Sequence, residues 1–232
     1  MGSDNLHHKR KTRKTVDLAR KKASRKPYSK VLIVCEGEKT EPTYFSDLKD
    51  HLELSSTNIV VTGECGSNPV SVVDYAIQLY RSEENTGDNF DKVYCVFDKD
   101  THETYQRALD KIANANHQAS GETVNAEPED IFIAITSVPC FEYWLLLHFN
   151  YTTAPFLGTG GKSACSRLIN ELKKYMPDYQ KGDNSIFNQI LDSQPQAIAY
   201  AVNALRESEK SGNDNPSTKN HELIEYLKNI KI

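Results

Sequence analysis

Long apolar runs are missing from this sequence. No stretch approaches about 18 consecutive apolar residues, which argues against a membrane span, and no apolar segment follows the basic start as a secretory leader would require, so a cytoplasmic protein is expected. Leu6 stands where a signal for N-terminal myristoylation needs Ser or Thr. The five cysteines, at 35, 65, 95, 140 and 165, include no CxxC pair, so neither a zinc ribbon nor a disulfide framework is expected. They read as reduced residues, Cys35 and Cys95 lying inside buried strands. A phosphate-binding P-loop is also absent: Gly158-Thr-Gly-Gly-Lys-Ser163 has the closing half of the pattern, but the required first glycine is Phe156 and no buried strand precedes it. A flexible loop opening a helix is expected there. No internal repeat is visible.

What the chain does have is charge of uneven sign. Residues 1–30 carry 11 Lys/Arg against Asp4 and Asp17, so a total of −4 leaves the remainder strongly acidic. The basic residues Lys9, Arg10, Lys11, Arg13, Lys14, Arg20, Lys21, Lys22, Arg25 and Lys26 sit among few apolar ones, which reads as a basic arm. Such an arm either solubilises the protein or is drawn to nucleic-acid phosphates.

From Lys30 onward, apolar strands alternate with amphipathic segments. Val31–Cys35 runs without a polar interruption into Glu36-Gly37, as does Val93–Phe97 into Asp98-Lys-Asp100; both read as strands buried on two faces. Strands are also expected near 58–63 and at Ile131–Ile135, and helices near 42–53, from Asn68-Pro69, and near 103–118. Phe141–Phe149 reads as a core helix. Helices are further expected at 162–176, 195–209 and 217–229. The order predicts an α/β fold: a mostly parallel central sheet with helices on both faces, plus C-terminal helical additions. The expected organisation is an arm at 1–29, a core at 30–150 and a helical extension at 151–232.

In such a sheet ligands bind beyond the carboxyl ends of the strands, so Glu36, Asp98 and Asp100 are expected on one rim, where acids point to a divalent cation. Acids at strand ends also cap the helices that follow. An aspartate-nucleophile phosphatase would want Thr or Val where this chain has His102, and would leave Glu36 unexplained. His102 reads as a surface group. Glu142, near the first turn of an apolar helix, is costly to bury unless it caps, pairs or ligates.

A strand ending in Glu-Gly paired with a later strand ending in Asp-x-Asp resembles the Toprim domain of topoisomerases, bacterial primases and the overcoming-lysogenization-defect nucleases. More narrowly, Ile33–Phe45, Val96–His102, Pro139–Phe149 and Asn215–Thr218 together resemble the RloB-like family. The resemblance implies a Toprim-like fold and association with antiphage and abortive-infection loci, where related systems pair such a protein with an ATPase. It implies that Glu36 is the general acid or base and faces the metal, and that Asp98 and Asp100 bind metal. Glu41 resembles a further acid of the pattern, displaced by one residue; Glu142 and Lys181 are later candidates, Lys181 for steadying charge on phosphorus. Hard oxygen ligands suit Mg²⁺ or Mn²⁺. The expectation is a metal-dependent nuclease acting on RNA such as tRNA ahead of DNA. The alternative is a non-catalytic adaptor that binds nucleic acid and the ATPase.

Overall fold

The computed structural model describes residues 29–99, 104–120 and 130–230. Asp100, His102 and the basic arm from Lys9 to Lys26 lie outside these described residues. Four parallel strands, β1 (Val31–Cys35), β2 (Ile59–Thr62), β3 (Lys92–Asp98) and β4 (Phe132–Val138), stand in the order β2-β1-β3-β4, with a two-residue antiparallel strand, β5 (Ser217–Thr218), added beside β4.

The period of two along each strand divides the core. Val31, Ile33, Cys35, Tyr94 and Val96 face one apolar cluster, and Leu32, Val34, Val93, Cys95 and Phe97 face the other. Helices cover both faces. On the second, α2 (Pro69–Thr86) contributes Val72, Val73 and Ala76, and α3 (Tyr105–Ser120) contributes Ala108 and Ile112. Val73 and Tyr80 of α2 are buried, with Val70 and Ile77 at the partly buried flank. The start of α2 is as the sequence indicates: Asn68 Oδ1 accepts the Ser71 N–H at 3.0 Å and Pro69 opens the helix.

The first cluster gathers α1 (Thr40–His51), α4 (Glu142–Leu146), α5 (Ala164–Leu172), α6 (Ile186–Ile190), α7 (Gln194–Ser211) and α8 (Asn220–Asn229). Phe141, Tyr143, Trp144, Leu145, Leu146 and Leu147 are all within 1% of full burial, so this block is mainly packing, each large side chain contributing about 1.5–3 kcal/mol. Residues after 150 share this core: Leu168, Ala201 and Ile224 belong to the same cluster as Ile33. Asn215 clamps the intervening loop, its amide exchanging two hydrogen bonds with the backbone of Phe156.

Several expectations are corrected. The C-terminal helix starts at Asn220, because Ser217 and Thr218 pair with Val138 and Ser137, and Asn220 Nδ2 donates to both Ser137 Oγ and Thr218 Oγ1. The helix expected over Phe141–Phe149 ends at Leu146. Residues 159–162 form a two-residue hairpin: Gly160 and Gly161 both have positive φ, as a type I′ turn demands, and Ser163 caps α5. The cysteines are not all reduced. Cys140 and Cys165, 25 residues apart, form a disulfide with their Cα atoms 5.7 Å apart, whereas Cys35, Cys65 and Cys95 are free. No helix of the described residues is long and apolar enough to cross a membrane.

Lys30 anchors the start of β1. Its buried ammonium meets Glu83 at 2.6 Å and Asp88 at 2.8 Å and lies over the Phe90 ring.

Candidate active site

The chain leaves β1 for β2 on one side of the sheet and returns to β3 on the other, so the carboxyl ends of β1 and β3 frame the crevice that a parallel sheet opens where its order reverses. Glu36 follows β1 directly. Its N–H donates to the Val96 carbonyl at 2.8 Å, extending the ladder, and its Oε2 accepts the N–H of Asp98, the last residue of β3, at 2.9 Å. Gly37 then turns the chain away with φ +113°, leading through Lys39 into α1, whose first turn carries Glu41. The loop after β2 passes so close that a Cβ on Gly63 would lie 2.1 Å from the Gly37 carbonyl oxygen and 2.6 Å from Pro42 Cγ. The result is a cleft of about 580 Å³ lined by Glu36, Glu41, Asp98 and Lys181, with Gly66 and Ser67 of the loop before α2.

Glu142 sits behind Lys181, 1% exposed. Its Oε1 accepts the Tyr179 hydroxyl at 2.9 Å and pairs with Lys181 Nζ at 3.1 Å; its Oε2 lies 3.5 Å from Cys165 Sγ. This carboxylate therefore serves an ion pair and a phenol; α4 has no side-chain cap. Lys181 is placed by its neighbour, since the Gly182 N–H donates to Thr40 Oγ1 at 3.0 Å across 142 residues.

Burial raises the Glu41 carboxyl to about 7, helped by Glu142 and Glu36 and opposed by its own helix backbone and by Lys181. Asp98 is raised well above the usual range by burial, then by Glu41, Glu142 and Glu36. Burial alone would lower the Lys181 ammonium, but Glu142, Asp98 and Glu41 more than reverse this. Two ammoniums, Lys39 and Lys181, among the carboxyls of Glu36, Glu38, Glu41 and Asp98, with Glu142 behind, leave an excess of acids, which favours the protonated form of the buried ones. A divalent cation would relieve it. Glu36, Glu41 and Asp98 line the cleft with oxygen donors of the kind a hard ion such as Mg²⁺ or Mn²⁺ takes, but their carboxylates are not gathered within 4.8 Å of one another, so an ion there would have to draw them inward.

Among the described residues the group whose donor atoms do lie within 4.8 Å of one another is Cys140, Glu142 and Cys165, but its two sulfurs are joined in the disulfide and could ligate a metal only once reduced. The structure thus brings together Glu36, Glu41, Asp98 and Lys181 in one cleft, with Glu142 against it. Lys99 turns aside to pair with Asp214 and lie over Tyr105. Tyr179, Cys165, Thr40 and Gly63 had no sequence signal strong enough to place them here, since each matters through a partner distant along the chain.

Neither the curated proteins nor the solved structures gave a match to this chain. The family model described as RloB-like protein matches residues 31–227, from the first residue of β1 into α8, and so takes in every strand and every group of the cleft. On that coverage the chain belongs to the RloB-like protein family.

Proposed function

We propose that this protein is a Mg²⁺- or Mn²⁺-dependent nuclease of Toprim type, cutting RNA such as tRNA in preference to DNA as the effector of an antiphage or abortive-infection system, with an ATPase as partner. The observation that carries the reading is the convergence of Glu36 and Asp98, joined at 2.9 Å, on a cleft that also holds Glu41 and Lys181. RNA and the ATPase partner enter by analogy with related systems.

Phosphodiester hydrolysis needs an attacking water, a proton acceptor for it and stabilisation of the charge that builds on phosphorus. Glu36, Glu41 and Asp98 are the residues to hold the cation, with Asp100 beside them in sequence. When bound, the cation supplies Lewis-acid activation of the water and neutralises charge on the leaving oxygen. Glu36, fixed by the Asp98 N–H, is oriented to accept a proton. Glu41, whose carboxyl stands near 7 in the metal-free cleft, gives up its proton as the cation binds. Lys181, kept cationic by Glu142, faces the cleft and is suited to a non-bridging phosphate oxygen. The basic arm supplies non-specific attraction to the polymer.

The test is to sequence the new RNA and DNA ends that appear in cells when the protein is induced, beside a Glu36→Ala control. Ends that appear only with the intact chain support cleavage and name its substrate. Identical end profiles from both proteins would reject the enzyme in favour of the adaptor.

A further inference from the structure

The disulfide lies against the acidic cleft. Cys140 precedes α4 and Cys165 is in the first turn of α5, and Cys165 Sγ is 3.5 Å from Glu142 Oε2 and 3.9 Å from Lys181 Nζ. The chain runs on from α5 to Tyr179 and Lys181, the two residues that hold Glu142 Oε1. The bond therefore staples the segment that supplies both partners to the turn that supplies Glu142. We infer that Cys140 and Cys165 form a reversible thiol–disulfide exchange site that sets the cation affinity of the cleft. The inference rests on the reading above only in taking that cleft as a cation site.

The exchange partner is a thiol reductant, either a small thiol or a dithiol protein. Its thiolate attacks Cys165 Sγ, since Cys165 is 8% exposed and Cys140 1%. The Cys140–Cys165 bond breaks, Cys140 leaves as a thiolate and takes a proton from water. A second reductant thiolate then displaces Cys165, which is protonated in turn. Two electrons pass to the protein and the reductant departs as its own disulfide.

The two states present different faces to the site. In the reduced state the Cys165 S–H is placed to donate to Glu142 Oε2 and draws off part of its charge. In the oxidised state that donor is gone, and the staple holds Glu142, Tyr179 and Lys181 in register. Glu142 acts electrostatically on both Glu41 and Asp98, so its charge is felt by the cation ligands. Loss of the donor, which leaves more charge on Glu142, makes the oxidised form the tighter binder. A soft metal held by the reduced cysteines and Glu142 is the competing occupant of this place. The Lys181 ammonium, 3.1 Å from Glu142, already fills the cationic role there.

The full-length chain equilibrated with glutathione disulfide or with dithiothreitol provides the test, with thiols counted by maleimide gel shift and Mn²⁺ affinity read by electron paramagnetic resonance. Reduction is expected to expose two further thiols and, because S–H is a weak donor, to weaken Mn²⁺ binding only about fivefold. The Cys140→Ser and Cys165→Ser proteins should each show one affinity in both buffers. Equal affinities in the two states of the native chain, failure of the pair to oxidise at any glutathione ratio, or one equivalent of Zn²⁺ retained by the reduced protein would each overturn the inference. Redox-dependent Mn²⁺ affinity without cleavage in either state would keep the exchange site and reject the nuclease. Cleavage whose Mn²⁺ requirement is the same in both redox states would do the reverse.

Discussion

The Glu36 carboxylate accepts the backbone N–H of Asp98 at 2.9 Å, across 62 residues of sequence. The bond gives Glu36 two tasks, closing the sheet past the end of β1 and presenting its second oxygen to the cleft, and substitutions can separate them. Glu36→Gln keeps an acceptor for the Asp98 N–H and should leave stability within about 0.5 kcal/mol, whereas Glu36→Ala strands that donor and should cost about 1 kcal/mol. Both should abolish metal-dependent cleavage. Urea unfolding beside a cleavage assay checks this, and a fully active Glu36→Gln protein would remove Glu36 from the chemistry.

Lys181→Met keeps the length of the side chain and removes its charge. Glu142, 1% exposed, would then lose its ion-pair partner and keep only the Tyr179 hydroxyl. Glu142 is buried but the Lys181 side chain is 59% exposed, so solvent screens the pair and its loss costs about 1–2 kcal/mol, lowering the midpoint of thermal unfolding by a few degrees. The Lys181→Met, Glu142→Gln double variant should recover most of that loss while remaining inactive. Calorimetry of the three proteins decides it; an unrecovered double variant would mean that the pair is not the source of the loss.

The raised Glu41 carboxyl predicts a pH dependence of the metal-free protein. Its value moves from 4.5 to about 7 on folding, so the folded state binds the proton more tightly than the unfolded state. Stability contributed by this proton is present below about pH 4.5 and is lost as pH rises towards 7. Partial solvent access limits the loss to on the order of 1–2 kcal/mol. Glu41→Gln should flatten this slope in a pH series of denaturant midpoints. Saturating Mg²⁺ should also flatten it, since a bound cation favours the ionised form, and cation affinity should rise as pH passes through 7.

Gly63 admits no side chain. A Cβ there would lie 2.1 Å from the Gly37 carbonyl oxygen, so Gly63→Ala must push the loop after β2 away from the loop that carries Glu36 and leads to Glu41. A loss of about 2–3 kcal/mol is expected, together with loss of any Mn²⁺-induced thermal shift. Gly87→Ala is the control: it adds a Cβ at a helix end where nothing lies within 4 Å, so its left-handed φ costs about 1 kcal/mol and leaves the metal response intact.

Removing residues 1–29 should weaken nucleic-acid binding and flatten its salt dependence, the slope falling by nearly one for each phosphate no longer neutralised. Fluorescence anisotropy at several salt concentrations measures the slope. The truncation stops before Lys30, whose ion pairs with Glu83 and Asp88 belong to the folded core.

The parts legible in the sequence were those written in local pattern. The unbroken apolar residues of β1 and β3 gave both strands, Asn68-Pro69 gave the start of α2, and the abrupt polar ends of β1 and β3 gave Glu36 and Asp98 as neighbours. The parts that escaped depend on distant partners. Ser217 and Thr218 are too few to show a strand period and are extended only because β4 offers an edge. Cys140 and Cys165 meet through the packing of α4 and α5, and no spacing rule relates them. Glu142 stood out as an expensive carboxylate, but Tyr179 did not, because a tyrosine costs little to bury until its hydroxyl must find a partner.

Lys30 and Glu36 flank a five-residue strand at opposite ends, roughly 20 Å apart at about 3.3 Å per residue. The ion pairs of Lys30 and the meeting of Glu36 with Asp98 thus hang on opposite ends of one short strand, so charge removed at its foot, as in Lys30→Met, should lower stability while leaving the crevice at its head formed.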